Sequence, residues 1–409
     1  MLTVEEALER VLANSSAKMA ARIPLCDALG LVLGEDVSAD LDSPPYDKSM
    51  VDGYAVRSAD LPGGSGELAL LEEIMAGMTP SRPVEAETCS RIMTGAPIPR
   101  GADAVVMQEM TASAAGDPNR IRIRDERLRA GQNIVRQGVA MRRGEVVLRA
   151  GRIIRPAEIG LLAEVGRPEI SAIPAARVAA LSTGNELVSP ADHPAAGQIR
   201  NSNGPMLVAA ARQTGATAVD LGVARDERES LQAKLAEGLQ NDVLVVSGGV
   251  STGILDLAPA TLAELGVREV FHKIRMKPGK PLWFGVKEHT AERRTLVFGL
   301  PGNPVSSFVC FELFVKPALA KLAGRDPKIV HDLITARLTS DFSHRGDRPT
   351  YHPAVVECLN QTAGPSVRPL RWAGSADLRG LADANALAIF PAGDFSYRAG
   401  EPVQALLLN

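Results

Sequence analysis

Residues 242–256 read Asp242-Val243-Leu244-Val245-Val246-Ser247-Gly248-Gly249-Val250-Ser251-Thr252-Gly253-Ile254-Leu255-Asp256, and the fold turns on them. A short β-branched run ended by glycines predicts a buried parallel strand, Val243–Val246, that leaves the carboxyl edge of a sheet. Ligands of open α/β sheets bind at that edge. Gly248, Gly249 and Gly253 let backbone N–H groups approach an anion, and a following helix adds the positive end of its dipole. In the same loop, Asp256 suits either a helix cap or a metal ion.

Working outward, His272-Lys273-Ile274-Arg275-Met276-Lys277-Pro278-Gly279-Lys280-Pro281 reads as an extended basic strand. Alternate residues of an extended chain share a face, so Lys273, Arg275 and Lys277 point one way and Ile274 and Met276 the other. Lys280 follows a Pro-Gly turn. A second glycine loop, Gly299-Leu300-Pro301-Gly302-Asn303-Pro304, leads into an apolar helix over Val305–Leu322. Asn303 suits its N-cap and Pro304 its first position. Two glycine loops, a basic face and a carboxylate make a site for a polyanion with a divalent cation. The competing reading is a basic surface strand with ordinary turns.

Composition narrows the ligand. A chain of 409 residues exceeds what one core serves, so several domains are expected. Aromatic content of 4% argues against a stacking platform for single strands, and a net charge of −3 argues against broad nucleic-acid binding. The local basicity therefore serves a compact anion. Cys26, Cys89, Cys310 and Cys358 lie far apart with no C-x-x-C pair, as in a reducing compartment. With no signal-peptide pattern and no apolar run of spanning length, the reading is a soluble cytoplasmic protein.

Taken in order, Thr3 and Glu6 form a capping-box pattern ahead of an amphipathic helix. Asp42-Ser43-Pro44-Pro45 marks a boundary. Asp52-Gly53 is a hairpin-turn signal. Short strands at Leu68–Leu71, Arg91–Thr94, Ala104–Met107 and Ile121–Arg124 suggest a small β-rich domain. Pro156 opens a helix through Val165. From Arg177 strands and helices alternate: strands Val178–Leu181 and Ala218–Val223, helices Pro205–Gln213 and Glu227–Leu239. Three strand ends thus present polar loops, at Thr183–Glu186, at Asp226 and at Ser247–Asp256. After Pro327 alternating strands without a helix of normal length suggest a β-barrel or β-sandwich.

Several chemistries drop out. Gly248–Gly253 is not G-x-G-x-x-G, no Walker Lys-Ser or Lys-Thr follows it, and there is no G-x-S-x-G elbow. No histidine pair has zinc-ligand spacing. What remains is an oxygen- and lysine-rich site suited to Mg²⁺ and phosphates.

Six ordered motifs spread along the chain carry a resemblance: S-P-P-Y-D-K-S-M-V-D-G-Y-A-V (43–56), M-T-G-A-P-I-P-R-G-A-D-A-V-V (93–106), S-T-G-N-E-L (182–187), S-G-G-V-S-T-G-x-x-D (247–256), K-P-G-K-P (277–281) and G-L-P-G-N-P-V-S (299–306). The sequence resembles the molybdopterin molybdenumtransferase (MoeA) family, whose eukaryotic counterpart is the gephyrin E domain. The resemblance implies a multidomain α/β plus β fold and a homodimer. It places an elongated, discontinuous helical/β dimerisation domain at 1–45 and 141–172 and an inserted β-rich domain at 46–140. A molybdopterin-binding α/β domain with a parallel-rich sheet takes 173–327, and a C-terminal β-barrel takes 328–409. It also implies the reaction: molybdenum from molybdate enters adenylylated molybdopterin in a Mg²⁺-dependent step that releases AMP. The implied partners are the pterin-adenylylating enzyme and recipient molybdoenzymes or their chaperones, with no nucleic acid and no membrane.

Residue by residue, the resemblance implies that Asp52 of the D-G-Y-A-V motif enters the cleft across the dimer, with Thr94 and Glu186 as polar residues of the same cleft. Asp226 and Asp256 match carboxylates near the pterin or metal, and Gly248, Gly249, Ser251 and Gly253 match the pterin loop. Lys273, Lys277 and Lys280 match the basic strand that holds molybdate and pyrophosphate. Pro301 and Pro304 match the rigid loop shaping the pocket, and Arg348 and Ser375 the last domain. Lysines and N–H groups recognise molybdate, a tetrahedral dianion, much as they do phosphate. Positioning and electrostatics could suffice without a protein nucleophile.

The chain departs from the family pattern at Gly138-Val139-Ala140, where many members carry Gly-Glu-Asp, and more mildly at Ile254. The alternatives weighed beside an insertase are a non-catalytic pterin carrier delivering cofactor to a molybdoenzyme, a scaffold, and adenylylation of the pterin itself.

Overall fold

The computed structural model describes residues 1–225, 227–249, 257–290, 293–330, 332–358 and 364–408. The chain divides into two compact units, Met1–Gly34 with Ile170–Asn409, and Glu35–Glu169.

The first unit is built on a six-stranded sheet in the order Thr217–Ala224, Arg177–Thr183, Val243–Ser247, Arg294–Leu300, Trp283–Glu288, Arg268–His272. The first four strands are mutually parallel, and the last two join by antiparallel pairing. Every residue of Val243–Ser247 is buried. Val243 and Val245 pack with Val178, Ala180, Phe298 and Phe311 on one face. Leu244 and Val246 pack with Ala179, Leu181, Leu235 and Leu262 on the other. Two cores explain the unbroken apolar run, and burying each such side chain stabilises by about 1.5–3 kcal/mol.

From Arg177–Thr183 the chain goes out to Thr217–Ala224 on one side and returns to Val243–Ser247 on the other. Strand order reverses between Arg177–Thr183 and Val243–Ser247, and a crevice opens outside their carboxyl ends. The opposite end of the sheet is tied to the N-terminal segment. There Asp242 Oδ2 lies 2.7 Å from Lys18 Nζ and accepts from Arg177 N–H at 2.8 Å. The helix Val4–Ala13 carries the expected reciprocal capping box and buries Val4, Ala7 and Val11.

Two local expectations are corrected. Residues 273–277 are not a strand: the strand ends at His272, and Lys273 turns the chain with φ 69°. The backbone N–H groups then go to separate partners, Lys273 to Leu282 O, Arg275 to Leu2 O and Lys277 to Pro349 O, each at 2.8 Å. Ile274 and Met276 are still fully buried while Arg275 and Lys277 are exposed, so the alternation survives without a ladder. The expected helix Val305–Leu322 is Pro304–Cys310, a π turn Phe311–Val315, then Lys316–Leu322. Pro317 has no N–H and its ring crowds the carbonyl four residues back, a mismatch that the π turn absorbs.

The C-terminal strands Leu333–Leu338, Pro365–Pro369, Thr350–Cys358, Ala386–Phe390 and Pro402–Leu407 close into a barrel, which leaves no open edge. Leu338, Val367, Ala388, Phe390 and Val403 fill it. A five-residue helix, Leu378–Ala382, is capped by Asp377, which accepts from Gly380 N–H at 3.0 Å.

The second unit holds a six-stranded sheet in the order Ala104–Met107, Gly53–Val56, Thr88–Ile92, Ser65–Ile74, Asp117–Arg124, Thr111–Ala114. Val37–Ser38 pairs with Val146–Leu148, and Pro156–Glu164 forms the expected helix. Asp52-Gly53 is not a hairpin turn. Gly53 begins an inner strand between Ile92 and Met107, where a Cβ would collide with the Val106 carbonyl. The glycine is there for close backbone approach. Among the described residues no helix is long and apolar enough to cross a membrane.

Candidate active site

Three parallel strands end side by side at Thr183, Ser247 and Leu300, and their loops form the crevice. Gly248 and Gly249 have φ of 88° and 61°. A Cβ on Gly248 would lie 2.6 Å from Thr183 O, and one on Gly249 would lie 2.6 Å from Thr183 Oγ1. Both glycines are therefore demanded by conformation and by packing. The Gly248 N–H donates to Leu300 O at 3.0 Å, so it joins loop to strand and does not face an anion.

Asn203, which opens the helix Asn203–Gln213, ties this edge together. Its Nδ2 donates to Ser247 Oγ at 2.5 Å and to Gly302 O at 2.7 Å. Asn201 Oδ1 accepts from Ser182 Oγ at 2.9 Å and from Gly204 N–H at 3.1 Å. Two buried oxygens here, Thr183 Oγ1 and Asn203 Oδ1, have no hydrogen-bond partner among the described residues. Buried polar atoms are normally paired, so orphans at a strand edge mark a place for ligand or water.

The loop 301–303 separates this crevice from an open cleft of about 530 Å³. Lys277 and Lys280 line it from the α/β side, Pro301 and Asn303 from the loop, and Arg348 and Ser375 from the barrel region. Asn303 occupies the N-cap position, yet its side chain donates to Ser375 Oγ at 2.8 Å and not to the helix. That contact leaves the Ser375 hydroxyl proton free to donate to a ligand oxygen. Asp347 Oδ1 accepts from Arg348 Nε at 3.0 Å, and the Arg348 side chain holds the Asp347 carboxyl below the usual range. Under the floor, Cys310 is fully buried beside Gly279 O, and burial pushes its thiol up and keeps it protonated. Burial, and secondly the nearby Lys277 ammonium, pushes the His344 imidazole down.

The expected site residues thus fall into groups. Lys277, Lys280, Pro301, Arg348 and Ser375 line one cleft, and Pro304 stands in the first helical turn behind the loop. Gly248 and Gly249 lie at the crevice. Glu186 is exposed on the loop after Thr183, and Lys273 is half-buried and does not line the cleft. Asp226, Ser251, Gly253 and Asp256 lie outside the described residues. Among the described residues no group of three His, Cys, Asp or Glu side chains could hold a metal. In the second unit, Asp52 Oδ1 accepts from the Thr94 N–H at 2.8 Å and from its hydroxyl at 2.7 Å. These two bonds, the backbone one foremost, hold the Asp52 carboxyl below the usual range. Ala140 is exposed and its N–H donates to Ser43 O at 2.9 Å. Sequence reasoning missed Thr183, Asn203 and Trp372 as individual site residues. A polar pair, Asn201 and Asn203, at the head of an otherwise apolar helix was the available signal.

These features define the class: a multidomain α/β protein with a crevice at a topological switch point and, beside it, a cleft lined by Lys277, Lys280 and Arg348. Comparison with known proteins narrows it. The family models described as "MoeA N-terminal region (domain I and II)", "Probable molybdopterin binding domain" and "MoeA C-terminal region (domain IV)" match residues 2–166, 179–321 and 335–408. The chain is 33% identical to the molybdopterin molybdenumtransferase of Staphylococcus aureus (strain Mu50), over 99% of this chain and 95% of that protein. It is 34% identical to that of Bacillus subtilis (strain 168), over 100% and 94%. A solved structure of a molybdopterin biosynthesis moeA protein from Pyrococcus horikosii superposes with a TM-score of 0.82 at 30% identity, covering 100% of this chain and 99% of that one. The chain belongs to the molybdopterin molybdenumtransferase (MoeA) family.

Proposed function

We propose that this protein is a molybdenum insertase that takes molybdate and adenylylated molybdopterin, places molybdenum on the pterin and releases AMP. The observation that carries the reading is the convergence of Lys277, Lys280, Arg348 and Ser375 on one cleft. Three cationic groups and a hydroxyl donor suit a tetrahedral dianion. The neighbouring crevice, with the orphaned Thr183 Oγ1 and Asn203 Oδ1, offers hydrogen-bond partners to polar N–H and O–H groups of the rest of the substrate. The chain's own part is binding, orientation and charge neutralisation; the buried Cys310 thiol is no nucleophile.

Mg²⁺ belongs to the same proposal. Its expected ligands, Asp226 and Asp256, lie outside the described residues, and the described carboxylates form no cluster for it. A homodimer, a cytoplasmic location and hand-over from an adenylylating enzyme to recipient molybdoenzymes are further parts of the proposal. The carrier reading is not favoured, because relatives matched along the full length bear a transferase name.

The test is AMP release from purified protein given adenylylated molybdopterin and Mg²⁺, with and without molybdate. Molybdate-dependent release that disappears in Lys277→Ala is expected. Tight pterin binding without release would refute turnover and point to Ala140, where an Ala140→Asp variant should then restore it.

A further inference from the structure

The cleft is larger than an inorganic oxyanion needs. It encloses about 530 Å³, against a share of about 30 Å³ for a water molecule in the liquid. A tetrahedral dianion engages Lys277, Lys280, Arg348 and Ser375 and leaves much of that space over. The rest of the lining includes apolar, flat surface: Pro278, Pro281, Pro301 and the Trp372 indole. Trp372 is the one aromatic residue among the described residues that line the cleft. The chain has two tryptophans in 409 residues. Trp283 is 1% exposed in the core, whereas Trp372 stands half-buried in the cleft.

The indole is held from behind. His352 meets it edge-to-face at 5.3 Å and 86°. The His352 ring is positioned in turn by its Nε2 contact to Leu370 O at 2.8 Å and by Phe342 and Phe390. An aromatic wall fixed beside two ammonium groups and a guanidinium suits a flat π-system that carries phosphate: the ring stacks and the cations take the charge.

We infer that Trp372 is a specificity-determining wall of the basic cleft, stacking the fused heteroaromatic ring of a phosphorylated ligand. This rests on the reading of that cleft as the insertase's anion site. The ring's chemistry is shared by the adenine and the pterin of one substrate, and the test separates them.

Calorimetric titration of the full chain with AMP, ribose 5-phosphate, free pterin and molybdate is compared for the wild type, Trp372→Phe and Trp372→Ala. Trp372→Ala should weaken AMP or pterin about tenfold or more, with Trp372→Phe within about threefold of wild type. Ribose 5-phosphate and molybdate should bind all three proteins alike. Dependence confined to AMP assigns the wall to the nucleotide, and dependence confined to pterin assigns it to the pterin. Unchanged AMP and pterin binding in Trp372→Ala overturns the inference. So does equal loss of ring-bearing and ring-free ligands, which would report a collapsed cleft. Failure of the cleft reading shows separately, as molybdate that does not bind wild type or binds Lys277→Ala equally well.

Discussion

The Tyr351 backbone N–H donates to the Lys277 carbonyl oxygen at 2.8 Å, and the Lys277 N–H donates to Pro349 O at the same distance. Through this pair the segment after the α/β strand Arg268–His272 is bonded to the start of the barrel strand Thr350–Cys358. Lys277 and Arg348, which are far apart in sequence, are thereby presented to one cleft, with no reliance on flexible side chains finding each other.

If the cleft binds molybdate through both sides, Arg348 and Ser375 should matter unequally. A hydrogen bond to a charged group contributes about 1.5–3 kcal/mol, and the Arg348 guanidinium can make two to the dianion where the Ser375 hydroxyl makes one. Ser375→Ala should therefore weaken molybdate binding about 10-fold and Arg348→Ala about 100-fold or more, with little change in melting temperature. Equilibrium dialysis checks this. Unchanged affinity in Arg348→Ala would remove the barrel from the site.

The glycines of the crevice are not equivalent. Gly248→Ala places a methyl 2.6 Å from Thr183 O at a φ of 88°. Strain of this kind costs about 1–3 kcal/mol, so denaturant unfolding should show a loss in that range. Gly302→Ala meets nothing closer than Gly248 Cα at 3.7 Å and should fold like the wild type. Equal effects of the two would contradict the local backbone.

Asp52 gives a pH-dependent signature. Its carboxyl lies below the usual range because Thr94 N–H and Oγ–H bond the ionised form. A group lowered in this way contributes stability above its unfolded value of about 3.8, and the contribution fades as pH falls through the folded value. Thr94→Ala removes the hydroxyl and keeps the N–H. The Asp52 carboxyl, followed by NMR, should then titrate higher but still below an Asp52 in the unfolded chain. No movement would rule the contact out.

Thiol reactivity should follow burial. Cys89 is buried and its thiol is pushed up to about 12 by that burial, and Cys310 is raised further. Cys26 is exposed. Alkylation of the native protein at neutral pH, mapped by peptide mass, should label Cys26 and spare Cys89 and Cys310, since the thiolate is the reactive form. Rapid labelling of Cys310 would mean that the cleft floor opens.

What sequence alone determined was periodic or local. The apolar run Val243–Val246, short, β-branched and ended by glycines, read as a strand covered on both faces, and the structure divides its side chains between two cores. The Thr3–Glu6 capping box, the barrel strand Ala386–Phe390 and the basic alternation around Ile274 and Met276 depend on spacing that a linear reading sees. The six ordered motifs carried the family. Other features were decided by groups remote in the chain. Gly53 looks like a turn until the Val106 carbonyl takes the place of its Cβ. Asn303 looks like a helix cap until Ser375 offers a nearer partner. The basic segment looks like a strand until Leu2, Leu282 and Pro349 each claim one of its N–H groups. Trp372 acquires a role only once the barrel places it opposite Lys277 and Lys280. Periodicity records which face of an element is buried, whereas the identity of a hydrogen-bond or cleft partner is set by which distant backbone arrives beside it, and that is settled by tertiary packing.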